Sequence, residues 1–281
     1  MPIQLIADSG STKCDWVMLE GKKRKKITTG GLNPYFLERP ALRNILANEL
    51  VGDFIKKPEE IFFYGTALGQ SKNLQAIKAL LKETFPKAKI EVETDITGAA
   101  RAVCGNEKGL AAILGTGSSL CVYNGKKIVK SSPGLGFILG DEGSGAYLGK
   151  KVIQLFLYGA FDEELNSNFC RQFQTDKATI LNHVYAGPLP NKYLASFALF
   201  LASNRGHYMI ENIIEDSFRK FFELHITRFK ESEKYPLGFI GSIAFGFKDV
   251  LETLCREYGF IKGKIMQSPL DGLIKFHSYK N

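Results

Sequence analysis

Six consecutive residues near the start, Asp8-Ser9-Gly10-Ser11-Thr12-Lys13, place a carboxylate, small donor-rich residues and a cation directly after the apolar run Gln4-Leu5-Ile6-Ala7. Such a turn can wrap a phosphate: the backbone can approach an anion closely, N–H groups and hydroxyls can point at its oxygens, and Lys13 adds charge. An ordinary hairpin turn would use the same residue types. A second stretch, Leu110 to Cys121, shifts the balance. Ser9-Gly10-Ser11-Thr12 aligns without a gap on Thr116-Gly117-Ser118-Ser119, which Gly115 precedes, and Cys14 aligns on Cys121.

Other positions carry chemistry of their own. Asp95 opens a small-residue helix, Thr97-Gly98-Ala99-Ala100, and has the right type either to cap that helix or to act on a ligand. Asp141 and Glu142 lie among the dense glycines of 134 to 145, a pattern that favours a polar-ligand loop over acids that merely cap the following helix. Asn33, before Pro34, either caps a helix over 35 to 51 or hydrogen-bonds a ligand. The histidines, His183, His207, His225 and His277, show no metal-ligand spacing, and none is assigned a catalytic role.

The elements that position these residues repeat. Each small-residue turn leads into an apolar strand and a tight turn, Glu20-Gly21-Lys22 or Asn124-Gly125-Lys126. Phe63-Tyr64-Gly65-Thr66-Ala67 echoes Phe239-Ile240-Gly241-Ser242-Ile243, and Lys89-Ile90 echoes Lys264-Ile265. An acid and a glycine then open a helix in both halves, at Asp95 to Gly98 and at Asp271-Gly272. Three paired features in the same order predict a duplicated α/β unit, residues 1–106 and 107–281, with a ligand cleft between the halves. Residues 161 to 234, helical in pattern, form an insertion in the second half. Further helices are expected over 71–84, 146–158, 193–202, 207–229 and 245–258.

At 281 residues, 44% hydrophobic and 23% charged, the chain has ordinary globular composition. No apolar run approaches membrane-helix length and no secretory leader pattern opens the sequence, so a cytoplasmic location is expected. Five scattered cysteines without a Cys-x-x-Cys pair predict neither disulfides nor zinc. A net charge of +8 favours anionic ligands. The run Lys22-Lys23-Arg24-Lys25-Lys26 reads as a solvated hairpin tip, because no nucleic-acid motif or aromatic interleaving accompanies it. A homodimer is expected, with no nucleic-acid or membrane partner.

Taken in order, the paired turns, the Asp95 helix, Gly-Asp-Glu-Gly-Ser at 140 to 144 and the Gly241 turn resemble the N-acetylglucosamine kinase and BadF/BadG ATPase-like family of the actin, sugar kinase and Hsp70 superfamily. The resemblance implies duplicated ribonuclease-H-like domains that use ATP and magnesium to phosphorylate a small sugar. It places Asp8 at the metal and Gly10, Ser11, Thr12, Lys13, Gly115, Thr116, Gly117 and Ser118 around the phosphates. Gly241, Ser242, Ile243 and Ala244 match the adenosine motif, so a larger residue at Gly241 is expected to crowd the base. Asp95 matches the catalytic base, and Asn33, Thr116, Gly117 and Asp141 match sugar-holding positions. Ser9 stands where the family usually has Gly, and Ser119 where mammalian-type kinases carry a sugar-contacting Asn. Acceptors compatible with this scaffold are N-acetylglucosamine, glucosamine, another amino sugar or a muropeptide-derived sugar. Two other activities belong to the same superfamily pattern: an ATPase that activates a partner enzyme through an iron–sulfur cluster held by bridging cysteines, and a sensor that binds sugar or nucleotide without turnover. No Gly-x-x-x-x-Gly-Lys-Ser/Thr signature is present, which disfavours a Walker-type kinase.

Overall fold

The computed structural model describes residues 2–10, 12–50 and 57–278. Ser11 and Val51, both included in the expectations above, lie outside the described residues. The chain divides into two compact units, residues 1–106 with 269–281, and residues 107–268.

In the first unit a five-stranded sheet comprises β1 (Gln4–Ser9), β2 (Lys13–Glu20), β3 (Lys23–Gly30), β4 (Glu60–Gly65) and β5 (Lys89–Thr94), in the order β3-β2-β1-β4-β5. β1 pairs antiparallel with β2 and parallel with β4, and β5 continues the parallel side. Gln4 to Ala7 of β1 are all buried, as expected of a central strand covered on both faces. Trp16 of β2 is fully buried, and its indole Nε1 donates to Thr29 Oγ1 at 3.0 Å, so this large ring enters the core without an unpaired donor. β3 is an edge strand, and its Lys and Arg side chains discourage pairing with another chain.

Three helices follow in this unit: α1 (Arg39–Ile45), α2 (Ser71–Thr84) and α3 (Asp95–Cys104). α1 starts later than the expected 35, with Pro40 in its first turn, and runs on as a π-helical turn over Leu46–Leu50. Asn33 instead organises the turn before it: Oδ1 accepts from Tyr35 N at 2.9 Å, and the Asn33 carbonyl accepts from Phe36 N and Leu37 N. This is the local turn geometry that favours Asn ahead of a helix.

The second unit repeats the sheet. β6 (Lys108–Leu114), β7 (Ser118–Asn124), β8 (Ile128–Ser131), β9 (Leu237–Ile240) and β10 (Lys262–Met266) lie in the order β10-β9-β6-β7-β8, with the same parallel and antiparallel partners as the first sheet. β9 holds the place of β4 and β10 that of β5, so the duplicated features occupy equivalent strands. The two turns nevertheless close differently. Ser9 pairs with Cys14, whereas Cys121 pairs with Ala111, so the second hairpin closes tightly at Gly115–Gly117 and the gapless alignment of the two turns is not kept in register.

Helices α4 (Gly136–Leu139) and α5 (Gly145–Leu157) follow β8, and α6 (Glu163–Phe173), α7 (Lys177–Tyr185), α8 (Pro190–Ser196), α9 (Ala198–Ser203) and α10 (Tyr208–Phe221) lie ahead of β9. The helix expected over 193–202 is broken at Phe197 into α8 and α9, and that expected over 207–229 leaves α-geometry at Phe222 for a π-helical turn, Phe222–Ile226. Phe218, Phe221 and Phe222 are fully buried and cover the sheet with Phe239. α11 (Ser242–Gly246) and α12 (Lys248–Glu257) flank β10 in place of the single helix expected over 245–258.

The last helix, α13 (Leu270–Ser278), corrects the expected boundary at 281, because it belongs to the first unit. A Cβ at Gly272 would lie 2.6 Å from the Ala102 carbonyl oxygen, so α13 and α3 approach to backbone contact, as their small residues allow. Buried Arg101 of α3 donates to Tyr64 Oη at 2.8 Å and to Glu91, and Tyr64 Oη meets His277 Nε2 at 2.8 Å. Phe62 stacks on the His277 ring, with centroids 3.6 Å apart. Among the described residues no helix is long and apolar enough to cross a membrane.

Candidate active site

In the first unit the candidate residues gather beyond the carboxyl ends of parallel strands, where ligands bind in open α/β sheets. Asp8 lies on β1, Thr66 follows β4, and Asp95 follows β5. Capping of α3 falls to Thr94, whose Oγ1 accepts from Thr97 N at 3.3 Å, and Asp95 is the first residue inside the helix. Its carboxylate accepts from Ile96 N at 2.8 Å and from the Thr66 hydroxyl, while Thr66 N donates to the Ser9 carbonyl. Burial raises the Asp95 pKa, and those hydrogen bonds oppose the rise.

Asp8 is pushed up to about 7, first by burial and then by the Asp95 and Asp15 carboxylates, against the opposing charge of Lys13. Lys13 is itself engaged by Asp15 at 2.6 Å. Three carboxylates facing one lysine leave excess negative charge, which suits a divalent cation. No group of three or more metal-ligating side chains stands ready-made among the described residues. A magnesium ion takes one or two protein carboxylates and completes its shell with phosphate and water oxygens, and Asp8 beside Asp95 has the donor type such an ion would use.

The raised Asp8 pKa makes a measurable prediction for the metal-free protein. A carboxyl held above its ordinary value binds its proton more tightly folded than unfolded, so this contribution to stability is present below about pH 4 and is lost as pH rises through about 7. At about 1.4 kcal/mol per pH unit the loss is about 2 to 4 kcal/mol. Asp8→Asn is therefore expected to raise the urea midpoint at pH 8 much more than at pH 4.5; an equal change at both pH values would contradict it.

Ser9, at the position where the family usually has Gly, is 2% exposed and ties two loops together. Its Oγ accepts from Leu32 N at 3.0 Å, and Gly31 N donates to the Thr12 carbonyl, so the first turn is fastened to the loop that carries Asn33. Gly10 N closes the turn onto the Lys13 carbonyl at 2.9 Å.

In the second unit three predicted stretches converge. Gly145 N and Ala146 N, at the start of α5, donate to the Gly115 and Thr116 carbonyls. Asp141 Oδ1 accepts from Ser118 N at 3.3 Å, and a Cβ on Gly117 would lie 3.0 Å from Asp141 Oδ2. Gly241 backs onto Leu114 and Gly115, and Ile243 approaches Gly145. Ser242 is exposed and Ala244 buried within α11. Ser144, rather than either acid, caps α5 by accepting from Tyr147 N at 3.2 Å. Burial raises the Asp141 carboxyl, helped by Glu142 and opposed by the Ser118 hydrogen bond, His225 and Lys150.

Two observations fit an anion at this second turn. Ser118 Oγ is buried without a hydrogen-bond partner, and the space where a Gly115 side chain would stand is open. Gly241 serves packing: with φ +127° and a Cβ position 2.1 Å from the Leu114 carbonyl oxygen, only glycine fits. Crowding of a base is therefore not what a larger residue there would first do. Sequence reasoning missed the roles of Thr66 and His225, and read Ser9 as part of the turn but not as its tie to the Asn33 loop. Thr66 lay within a recognised small-residue turn, whereas His225 carried no spacing signal.

The two sheets of matching topology, each with a small-residue turn after its first strand, define a member of the actin, sugar kinase and Hsp70 superfamily. No family model matches the chain. A Porphyromonas gingivalis protein of solved structure, provisionally assigned as an N-acetylglucosamine kinase, is 36% identical, with 97% of this chain and 98% of that chain covered and a TM-score of 0.93. A Chromobacterium violaceum protein with the same provisional assignment is 15% identical over 98% of this chain and 99% of its own, with a TM-score of 0.76. MreB5 of Spiroplasma citri bound to AMPPNP is 11% identical over 99% and 96%, with a TM-score of 0.62; these two likenesses show the fold alone. Glucosamine kinase GspK of Vibrio cholerae is 35% identical over 94 residues, 33% of this chain, and the match spans 31% of that relative's length. The chain belongs to the N-acetylglucosamine kinase and BadF/BadG ATPase-like family.

Proposed function

We propose that this protein is an ATP-dependent kinase that phosphorylates a hydroxyl of an amino sugar, N-acetylglucosamine or glucosamine. The observation that carries the reading is the placement of Asp95: Thr94 performs the capping, and Asp95 is held beside Asp8 at the strand ends. Phosphoryl transfer needs positioning and charge neutralisation more than covalent chemistry by the protein. Asp95 takes the acceptor hydroxyl proton as its oxygen bonds to the γ-phosphorus and the bond to the ADP oxygen breaks. A magnesium ion held by Asp8 would neutralise phosphate charge. Gly10, Thr12, Lys13 and Ser11 in the first turn, and Gly115, Thr116, Gly117 and Ser118 in the second, would meet phosphate oxygens. Gly241 to Ala244 would line the adenosine site, and Asn33, Thr116, Gly117 and Asp141 the sugar. The reading places the protein in the cytoplasm as a homodimer.

Coupled ADP release measured across a sugar panel tests this function. Turnover is expected with N-acetylglucosamine or glucosamine, with little in a sugar-free control. Rapid sugar-independent turnover would point to a partner-activating ATPase, and nucleotide or sugar binding without turnover to a sensor; either result overturns the kinase reading.

A further inference from the structure

The helical insertion meets the Gly140–Gly143 loop through one buried polar pair. His225 Nε2 donates to Glu142 Oε2 at 3.0 Å, with only 10% of the histidine side chain and 14% of the glutamate side chain exposed. We propose that His225 is a positioning residue for the acceptor: by holding Glu142 it fixes Asp141 against the Gly117–Ser118 turn and so sets sugar affinity. The inference rests on the sugar-kinase reading for its effect on the acceptor, and on geometry alone for its effect on the loop.

One residue of the loop holds a backbone conformation that carries a cost. Asp141 has φ +58°, a left-handed conformation that Asp adopts more readily than other non-glycine residues but still at some cost, which the contacts around it must offset. Gly143 has φ +72°, which suits glycine, and a Cβ there would stand 3.1 Å from Phe221 Cβ and 3.2 Å from Phe218 Cδ1. The next contact along the loop is the Glu142–His225 pair, and Asp141 itself reaches Ser118 N and the face of Gly117. Displacing Glu142 would therefore move the neighbouring Asp141 carboxylate away from the turn.

The site that supplies His225 is also unusual. The histidine sits in the π-helical turn Phe222–Ile226 that ends α10, and its ring stacks on Phe221 with centroids 5.0 Å apart. Its Nδ1 is buried without a hydrogen-bond partner.

The test compares His225→Leu, His225→Gln and the double variant Glu142→Leu/His225→Leu with the wild type. It reads steady-state constants for N-acetylglucosamine, glucosamine and ATP alongside hydrogen exchange of the Ser118 amide and those of 140–146. His225→Leu is expected to raise the sugar KM about tenfold or more, leave the ATP KM within about twofold, and speed exchange at Ser118 and the loop about tenfold. His225→Gln, whose side-chain amide can donate to Glu142, is expected to restore both. Should His225→Leu fail to fold because Glu142 is left buried and unpaired, the double variant, with no such charge, is expected to keep the wild-type melting temperature and show the same loosened loop. Unchanged loop exchange in a folded variant overturns the proposal, as does a parallel rise in both KM values with a lowered melting temperature. If the wild type phosphorylates no sugar, the kinase reading fails, and the exchange measurements still decide whether His225 positions the loop.

Discussion

Asp95→Asn is expected to lower sugar phosphorylation about a hundredfold to ten-thousandfold while ATP affinity and thermal stability stay close to wild type. The amide retains an oxygen that can accept from Ile96 N and from the Thr66 hydroxyl, so the interactions that hold Asp95 survive the change. The α3 cap survives as well, since it belongs to Thr94. Removing a buried carboxylate beside Asp8 also removes a repulsion, which favours the folded state of the metal-free protein. What the amide cannot do is accept the hydroxyl proton. Near-wild-type turnover in a folded Asp95→Asn protein would remove Asp95 from the mechanism. Turnover, ATP affinity and melting temperature measured on one preparation separate lost chemistry from lost structure.

Gly241→Ala is expected to destabilise the protein by at least about 3 kcal/mol, a large share of the 5 to 15 kcal/mol typical of a domain. The added Cβ would stand 2.1 Å from the Leu114 carbonyl oxygen and 2.6 Å from its carbon, both backbone atoms of β6 that cannot swing aside. The φ of +127° adds strain for any L side chain. Gly115→Ala offers the contrast, because nothing lies within 4 Å of its Cβ position. That variant is expected to keep stability within about 0.5 kcal/mol. It should weaken ATP binding if the second turn receives phosphate. Urea unfolding of both variants, with ATP titration of the folded one, checks the pair. Equal stability of Gly241→Ala and wild type would show that the close approach of β6 to the Gly241 turn is not maintained in solution.

Much of the fold was written locally. Paired strands, Asn-Gly and Glu-Gly turns and small-residue loops recur in the same order in both halves, and short-range preferences of that kind survive in any tertiary setting. The same holds for the converging stretches at 115–118, 140–145 and 241–244, whose glycines announce close backbone approach wherever they pack. The identities of Asp8 and Asp95 as acids at strand ends were likewise visible.

Other features depended on distance in space rather than in sequence. Repeat logic assigned the last helix to the second half, yet Gly272 against Ala102 and His277 on Tyr64 join it to the first unit. Both Thr94 and Asp95 have cap chemistry, and only the backbone geometry, with Thr94 extended and Asp95 helical, decides between them. The two turns look alike residue by residue, but strand register depends on pairing across the hairpin and closes the second one earlier. His225 lies 83 residues from Glu142, and no periodicity links them. Sequence alone determined which stretches could approach an anion, because backbone freedom and side-chain chemistry are local properties. Tertiary structure decided which acids were released from capping, how far burial lifted Asp8, and which histidine stands behind Asp141, because those depend on what the fold packs around each group.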